Sequence, residues 1–333
     1  MERTIDWDND AIRTVDQTVL PDTYRMIRLA TVDELLDAIS GLVIRGAPAL
    51  GAAGALGVVL SARKHTTGTV VDEPAVRADA ERIAQARPTA VNLAWGVRRA
   101  LSRLADGVDA VLAEAICVLD DDEHVNRLLI QRTADYICRV CTRRPLRVLT
   151  HCNTGRLATV AGGTALGAVR ELALRDQLGE VLVDETRPLL QGSRLTTWEL
   201  AEAGIKYRVC VDSAGPSAIA SGLVDCVMVG ADRIAANGDV ANKIGTYPLA
   251  LAAKRAGIPM VVVAPESTWD ESLATGAQIV IEERPADEVT QIRGHAIAPA
   301  GSSAYNPAFD ITPTELITAI VTEQRVFGGA SRR

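Results

Sequence analysis

Pro145-Leu-Arg-Val-Leu-Thr-His-Cys-Asn-Thr-Gly155 is the stretch on which the fold turns. Its first half, Leu146–Thr150, is a short apolar run rich in β-formers, and its second half is a polar loop that ends in glycine. The same unit recurs downstream. Glu180–Val183, Tyr207–Val211, Cys226–Val229 and Met260–Val263 are runs of this kind, separated by helically spaced stretches of ten or more residues. Such alternation predicts right-handed βαβ crossovers and a parallel sheet. The runs are continuously apolar rather than alternating, as strands are when helices cover both faces. Before Pro145 the rhythm is different. Val32–Leu42, Ala49–Arg63, Pro74–Ala86, Ala90–Leu104 and Val108–Cys141 place apolar residues three and four apart and predict helices, with short strands at Thr4–Trp7 and Tyr24–Leu29. The expected class is α/β: a mainly helical N-terminal domain over 1–144 and a doubly wound domain over 145–333.

A chain of 333 residues suffices for about two domains, each with its own core. Hydrophobic residues make up 48 % and charged residues 23 %, ordinary globular usage that excludes disorder of the whole chain. Cations number 35 against 42 acidic residues, a net charge of −7 with no long basic run, so neither nucleic acid nor a membrane surface is an expected partner. No uninterrupted apolar run reaches the ~18 residues of a membrane span. The opening MERTIDWDND is acidic rather than signal-like, and a cytoplasmic protein is expected. Six thinly spread cysteines then read as reduced thiols. Cys138 and Cys141 share a helix face, and no second pair stands at zinc spacing.

In a doubly wound sheet, ligands gather at the carboxyl ends of the strands, where loops open and helix amides point outward. The segments after the five strands are 151–155, 184–192, 212–216, 230–233 and 264–267, and all should lie on one edge. Cys152 follows the first strand, within a polar loop that precedes an expected helix. A helix N-terminus there would favour the thiolate, making Cys152 a candidate acid, base or nucleophile; a buried apolar filler is the other reading. Asp232 follows the fourth strand. Buried there, it would hold a proton for donation near neutral pH, or it caps a helix or pairs with Arg233. Arg45-Gly-Ala-Pro48 joins a cation, a glycine that permits close backbone approach and a proline suited to a first helical turn, which together suit an anion such as phosphate. Ala52–Gly57 reads as small residues for tight helix packing. Arg87 offers a second cation ahead of a helix, and Asn242-Lys243 an amide and an ammonium beyond the Asp232 loop. Three cation-bearing loops in an acidic chain point to an anionic ligand. His151 reads as structural, because adjacent strand residues face opposite ways. No metal-binding spacing and no serine-hydrolase elbow is present.

The segments RGAPALG (45–51), RPTAVNL (87–93), THCNTG (150–155), DETRPLLQGSRLTTWEL (184–200), GADRIAANGDVANKIGTYPLA (230–250) and NPAFDITPTELITAIVTE (306–323) closely resemble S-methyl-5-thioribose-1-phosphate isomerases of methionine salvage. The wider family includes ribose-1,5-bisphosphate isomerases and regulatory subunits of a translation-initiation exchange factor. The resemblance runs from Arg3 to a final helix expected near the C-terminus. It implies a Rossmann-like C-terminal domain, a homodimer, no metal or other cofactor, and an aldose-ketose isomerase acting on a phosphorylated pentose. It places the catalytic pair on Cys152 and Asp232, and substrate binding on Arg45, Gly46, Ala47, Arg87, Gln191, Asn242 and Lys243. The chain departs from the family pattern at Arg156, Gly162 and Ala214. The group carried at C5 of the sugar (methylthio, hydrogen or phosphate) therefore stays open, as does a non-catalytic sensing role like that of the exchange-factor subunits.

Overall fold

The computed structural model describes residues 2–87 and 91–328. Its contacts divide the chain into two compact units, residues 1–128 with 154–163, and residues 129–153 with 164–333. The first unit opens with an antiparallel sheet of β1 (Ile5–Asp8), β2 (Ala11–Val15) and β3 (Met26–Leu29), in that order. Helices follow: α1 (Val32–Ser40), α2 (Ala47–Lys64), α3 (Glu73–Gln85), α4 (Val91–Leu101) and α5 (Val108–Val140), the last continuing into the second unit. These bounds lie close to the helices expected from the spacing. Strand β2 was not expected.

Helix α2 is the axis of this unit, with every residue from Ala49 to Ala62 buried. Its glycines make that possible. A Cβ at Gly54 would lie 2.5 Å from the Leu93 carbonyl, and one at Gly96 of α4 only 1.9 Å from the Gly51 carbonyl. The stretch 52–57 is thus a helix-packing surface, as its composition suggests.

The second unit is built on a seven-stranded sheet of β4 (Leu146–Thr150), β5 (Leu178–Asp184), β6 (Tyr207–Cys210), β7 (Cys226–Val229), β10 (Met260–Val263), β12 (Ala319–Val321) and β13 (Val326–Gly328). Its order is β13-β12-β10-β7-β4-β5-β6. Every pairing is parallel except β12 with β13. The five expected strands are all present and all point one way. Helices α6 (Ala165–Leu174), α7 (Thr197–Glu202), α8 (Ala214–Ala220) and α9 (Thr246–Ala256) form the crossovers, and two buried apolar clusters lie against the sheet.

A smaller sheet joins Trp269–Asp270, β8 (Arg233–Ala235), β9 (Val240–Lys243) and β11 (Phe309–Thr312). The helix expected near the C-terminus is corrected: residues 314–316 make one 3-10 turn, and Ala319–Val321 is a strand beside β10. β-branched Ile320 and Val321, both buried, suit that pleated position better than a helix. Among the described residues, no helix is long and apolar enough to cross a membrane.

Candidate active site

The strand order reverses direction between β4 and β7, which are hydrogen-bonded neighbours through Val148↔Cys226 and Leu149↔Val227. This is the switch point at which open α/β sheets bind ligands. Cys152 leaves the carboxyl end of β4 and Asp232 that of β7, so the two loops emerge side by side from one sheet edge. Both residues are half-buried.

The surroundings of Cys152 differ from expectation in one respect. No α-helix begins at its loop. Residues 156–158 form a single 3-10 turn, and α6 starts only at Ala165, after Gly162 and Gly163 with φ of 83° and 86°. Thr4 Oγ1 also donates to the Thr159 carbonyl at 2.6 Å, which turns that segment away from helical pairing. The helix-dipole argument for a thiolate at Cys152 therefore falls. Instead the residue is held by its backbone. Its φ of 60° is left-handed, which costs a side-chain-bearing residue on the order of 1 kcal/mol. The Cys152 amide donates to Thr186 Oγ1 at 2.8 Å, and Thr196 Oγ1 donates to the Cys152 carbonyl at 2.6 Å. Thr186 and Leu190 are left-handed too, at 64° and 59°. Thr196 closes a π-helical turn over Gly192–Thr196, a distortion that recurs at functional sites.

Beside Cys152, His151 is fully buried. Its Nδ1 lies 2.9 Å from Asp184 Oδ2 and its Nε2 2.8 Å from the Ile244 carbonyl. Burial pushes the imidazole down, but Asp184 more than compensates and the net direction is up. Asp184 is itself raised by burial, offset in part by His151. Burial and Asp184 together push the Cys210 thiol up to about 12, and that thiol donates to Asp184 Oδ1 at 3.3 Å. Asp212 spends both oxygens on the amides of Thr186 and Arg187, each at 2.7 Å. Ligand atoms of His151, Asp184 and Asp212 lie within 4.8 Å of one another, but all are engaged in these hydrogen bonds. Asp184, Thr186, Thr196 and Asp212 were not singled out from the sequence; the signal available was their place directly after a parallel strand or in the turn that follows it.

Asp232 leads into strand β8 rather than a helix, so it is not a helix cap, and its amide donates to the Ala241 carbonyl. Asn242 and Lys243 lie on buried strand β9 rather than in a loop. Asn242 Nδ2 donates to Thr246 Oγ1, while Lys243 Nζ donates to the Ala308 carbonyl and sits 4.9 Å from the Phe309 ring centre. Gln191 is buried, and its Oε1 has no hydrogen-bond donor among the described residues. In the first unit, Arg45, Gly46 and Ala47 open the 18-residue helix α2. Gly46 is its N-cap with φ of 91°, it brings no side chain to the first-turn amides, and no acidic residue stands in that turn, which suits an anion. A Cβ at Gly46 would meet the Ala158 backbone at 2.4 Å, so only glycine fits. Arg87 is half-buried; Pro88, Thr89 and Ala90 of the same motif lie outside the described residues.

Residues 43–328 match the initiation factor 2 subunit family. A probable bifunctional methylthioribose-1-phosphate isomerase/methylthioribulose-1-phosphate dehydratase of Nocardia farcinica is 61 % identical over 98 % of this chain, which spans only 59 % of that protein's length. A 5-deoxyribose 1-phosphate isomerase of Moorella thermoacetica is 45 % identical over 97 % of this chain and 93 % of its own. The crystal structure of 5-methylthioribose 1-phosphate isomerase from Pyrococcus horikoshii superposes with a TM-score of 0.89 at 37 % identity, covering 98 % of this chain and 93 % of that one. With the family matched over most of its length and a Rossmann-like parallel sheet carrying its polar loops on one edge, the chain belongs to the initiation factor 2 subunit family.

Proposed function

We propose that this protein is a methylthioribose-1-phosphate isomerase, converting S-methyl-5-thio-α-D-ribose 1-phosphate to S-methyl-5-thio-D-ribulose 1-phosphate as a cytoplasmic homodimer. The observation that carries the reading is the emergence of the Cys152 and Asp232 loops from neighbouring strands at the switch point. Similarity to enzymes of that name along almost the whole chain supports it.

A sugar phosphorylated at C1 cannot open spontaneously, so the ring oxygen must gain a proton as the C1–O bond breaks. Asp232 in its acid form gives that proton. Cys152 as thiolate takes the C2 proton, and the C2–H electrons form the C1=C2 bond of a phosphoenol. The thiol then returns its proton to C1 while the C2 hydroxyl, yielding its proton to Asp232, becomes the ketone. Both groups end as they began. A direct C2-to-C1 hydride shift is the competing route. Arg45, Gly46, Ala47, Arg87, Gln191, Asn242 and Lys243 are the substrate-binding residues of this reading. Neither route calls on a metal or nucleotide.

The name of the Moorella relative favours 5-deoxyribose 1-phosphate as a second reading. Steady-state kinetics with methylthioribose 1-phosphate, 5-deoxyribose 1-phosphate and ribose 1,5-bisphosphate decide between them. The highest kcat/KM is expected for the methylthio sugar. A higher value for either rival overturns the substrate assignment, and turnover of none, as a sensing subunit would show, overturns the isomerase.

A further inference from the structure

His151 Nε2 faces the Ile244 carbonyl oxygen at 2.8 Å, and a carbonyl can only accept, so Nε2 carries a hydrogen. Nδ1 faces Asp184 Oδ2 at 2.9 Å. If that contact is a hydrogen bond, one further proton lies between the two: on Nδ1 as imidazolium against carboxylate, or on the carboxyl against a neutral ring. Without it, two lone pairs would face each other in a fully buried place. Either arrangement leaves the pair with zero net charge, the state that burial favours. The groups around it are acidic or weakly acidic: Asp212 after β6, Cys210 on β6 and Asp310 on β11. None offers a competing cation.

The pair also ties segments together. His151 immediately precedes Cys152. Asp184 ends β5, and its carbonyl accepts from Thr186 Oγ1, which in turn accepts the Cys152 amide. Ile244 follows Asn242-Lys243, and the imidazole packs so closely on Gly245 that a Cβ there would lie 2.7 Å from the ring. A left-handed cysteine relaxes unless its neighbours forbid it, and these contacts are what forbid it here.

We propose that His151, Asp184 and Thr186 are positioning residues, a neutral proton-sharing pair and a hydroxyl clamp that together hold Cys152 in its left-handed conformation at the end of β4. The proposal rests on the reading that Cys152 takes part in proton transfer.

Two measurements test it. With labelled histidine (the chain has only four), the His151 ring resonances of the full protein should show no titration between about pH 6 and 9, across the ordinary imidazole pKa near 6.5. In Asp184→Asn, whose amide donates to Nδ1, they should be those of a neutral Nε2–H ring. A midpoint near the ordinary value in the wild type, or any ring state other than neutral Nε2–H in Asp184→Asn, overturns the pair. In kinetics, Asp184→Ala and Thr186→Val should each lower kcat at least tenfold with KM changed less than about threefold, the signature of a lost transition-state arrangement. Asp184→Asn and Thr186→Ser, which keep the hydrogen bonds, should stay within about threefold of wild type. An unchanged kcat in the first two, or no rescue by the second two, overturns the positioning role. The resonance test needs no turnover, so it decides the pair even if the isomerase reading fails; Cys152→Ser with full activity overturns that reading alone.

Discussion

Replacing Gly96 by alanine tests whether the crossing of α2 and α4 rests on backbone contact. The added Cβ would stand 1.9 Å from the Gly51 carbonyl oxygen and 3.1 Å from its Cα, where ordinary contact begins near 3.4 Å. Both partners are helix backbone, so no side chain can swing aside. The helices must part by roughly 1.5 Å in a close-packed interior. Overpacking of this kind costs about 3 kcal/mol, the upper end of the usual range, and the better helix propensity of alanine returns about 1 kcal/mol. The net loss is about 2 kcal/mol, or a fall in melting temperature of roughly 3 °C for a chain of 333 residues. Gly57→Ala is the control. Its Cβ would meet only Leu35 Cδ2 at 2.6 Å and Ile83 Cδ1 at 2.9 Å, the free ends of side chains that can turn away. It should melt within about 1 °C of wild type, since cost and propensity nearly offset. Thermal denaturation followed by circular dichroism measures both. Equal losses for the two variants refute the backbone-contact argument. Helix α2 starts at Ala47, and its Gly51 contacts Asn92, four residues from Gly96, so Gly96→Ala should also raise KM for the phosphorylated substrate more than it lowers kcat.

Cys152→Ser and Asp232→Asn should each lower turnover by roughly 10²–10⁴-fold, the usual worth of a positioned proton-transfer group, while the far-ultraviolet spectrum is kept; near-normal kcat removes the residue from the mechanism. Reaction in deuterium oxide should place deuterium at C1 of the product, and its absence would favour the hydride shift. Asp122 accepts the Val160 amide at 2.8 Å, and burial pushes it up to about 7 from an ordinary 3.8. The folded state thus binds this proton more tightly than the unfolded one. Its stabilisation is complete below about pH 4 and is lost as the pH rises through about 7. The loss is at most about 4 kcal/mol, and solvent contact at this half-buried group brings it to roughly 1–2 kcal/mol. Asp122→Asn should therefore gain on the wild type in melting temperature between pH 5 and 8; a difference constant with pH contradicts it.

The large sheet was legible because each of its central strands is an apolar run closed by a polar or small residue, and that local pattern is also what parallel pairing between helical layers requires. Once five such strands share a direction, the residues after them must share an edge, which is how Cys152 and Asp232 could be picked out before any coordinates. The small sheet was not legible. Val240-Ala-Asn-Lys243 is buried throughout, yet half of it is polar, so its pattern reads as loop. Its burial depends on Thr246, Ala308 and the Phe309 ring, partners that only the fold supplies. The polar network around Cys152 was hidden for the same reason: His151 meets Asp184 across 33 residues and Ile244 across 93.

The strain at Cys152, Thr186 and Leu190 has a physical explanation in the strands beneath. Three left-handed residues that carry side chains cost together on the order of 3 kcal/mol, which an isolated loop would shed by rotating. Here they are anchored. Val148 pairs with Val181 and Thr150 with Val183 in the ladder between β4 and β5. Val148, Leu149, Val181 and Val183 are all fully buried, so the two strands cannot slide without opening the core. Gly192 closes the arrangement from the other side, because a Cβ there would lie 1.8 Å from the Asp184 carbonyl, the same oxygen that accepts from Thr186. A rigid, apolar base thus supports a rim of hydrogen-bonded polar groups. The rim's remaining freedom lies in side chains rather than backbone, and proton transfer between neighbouring carbons needs that arrangement, since an error of a fraction of an ångström in the base is felt directly in the rate.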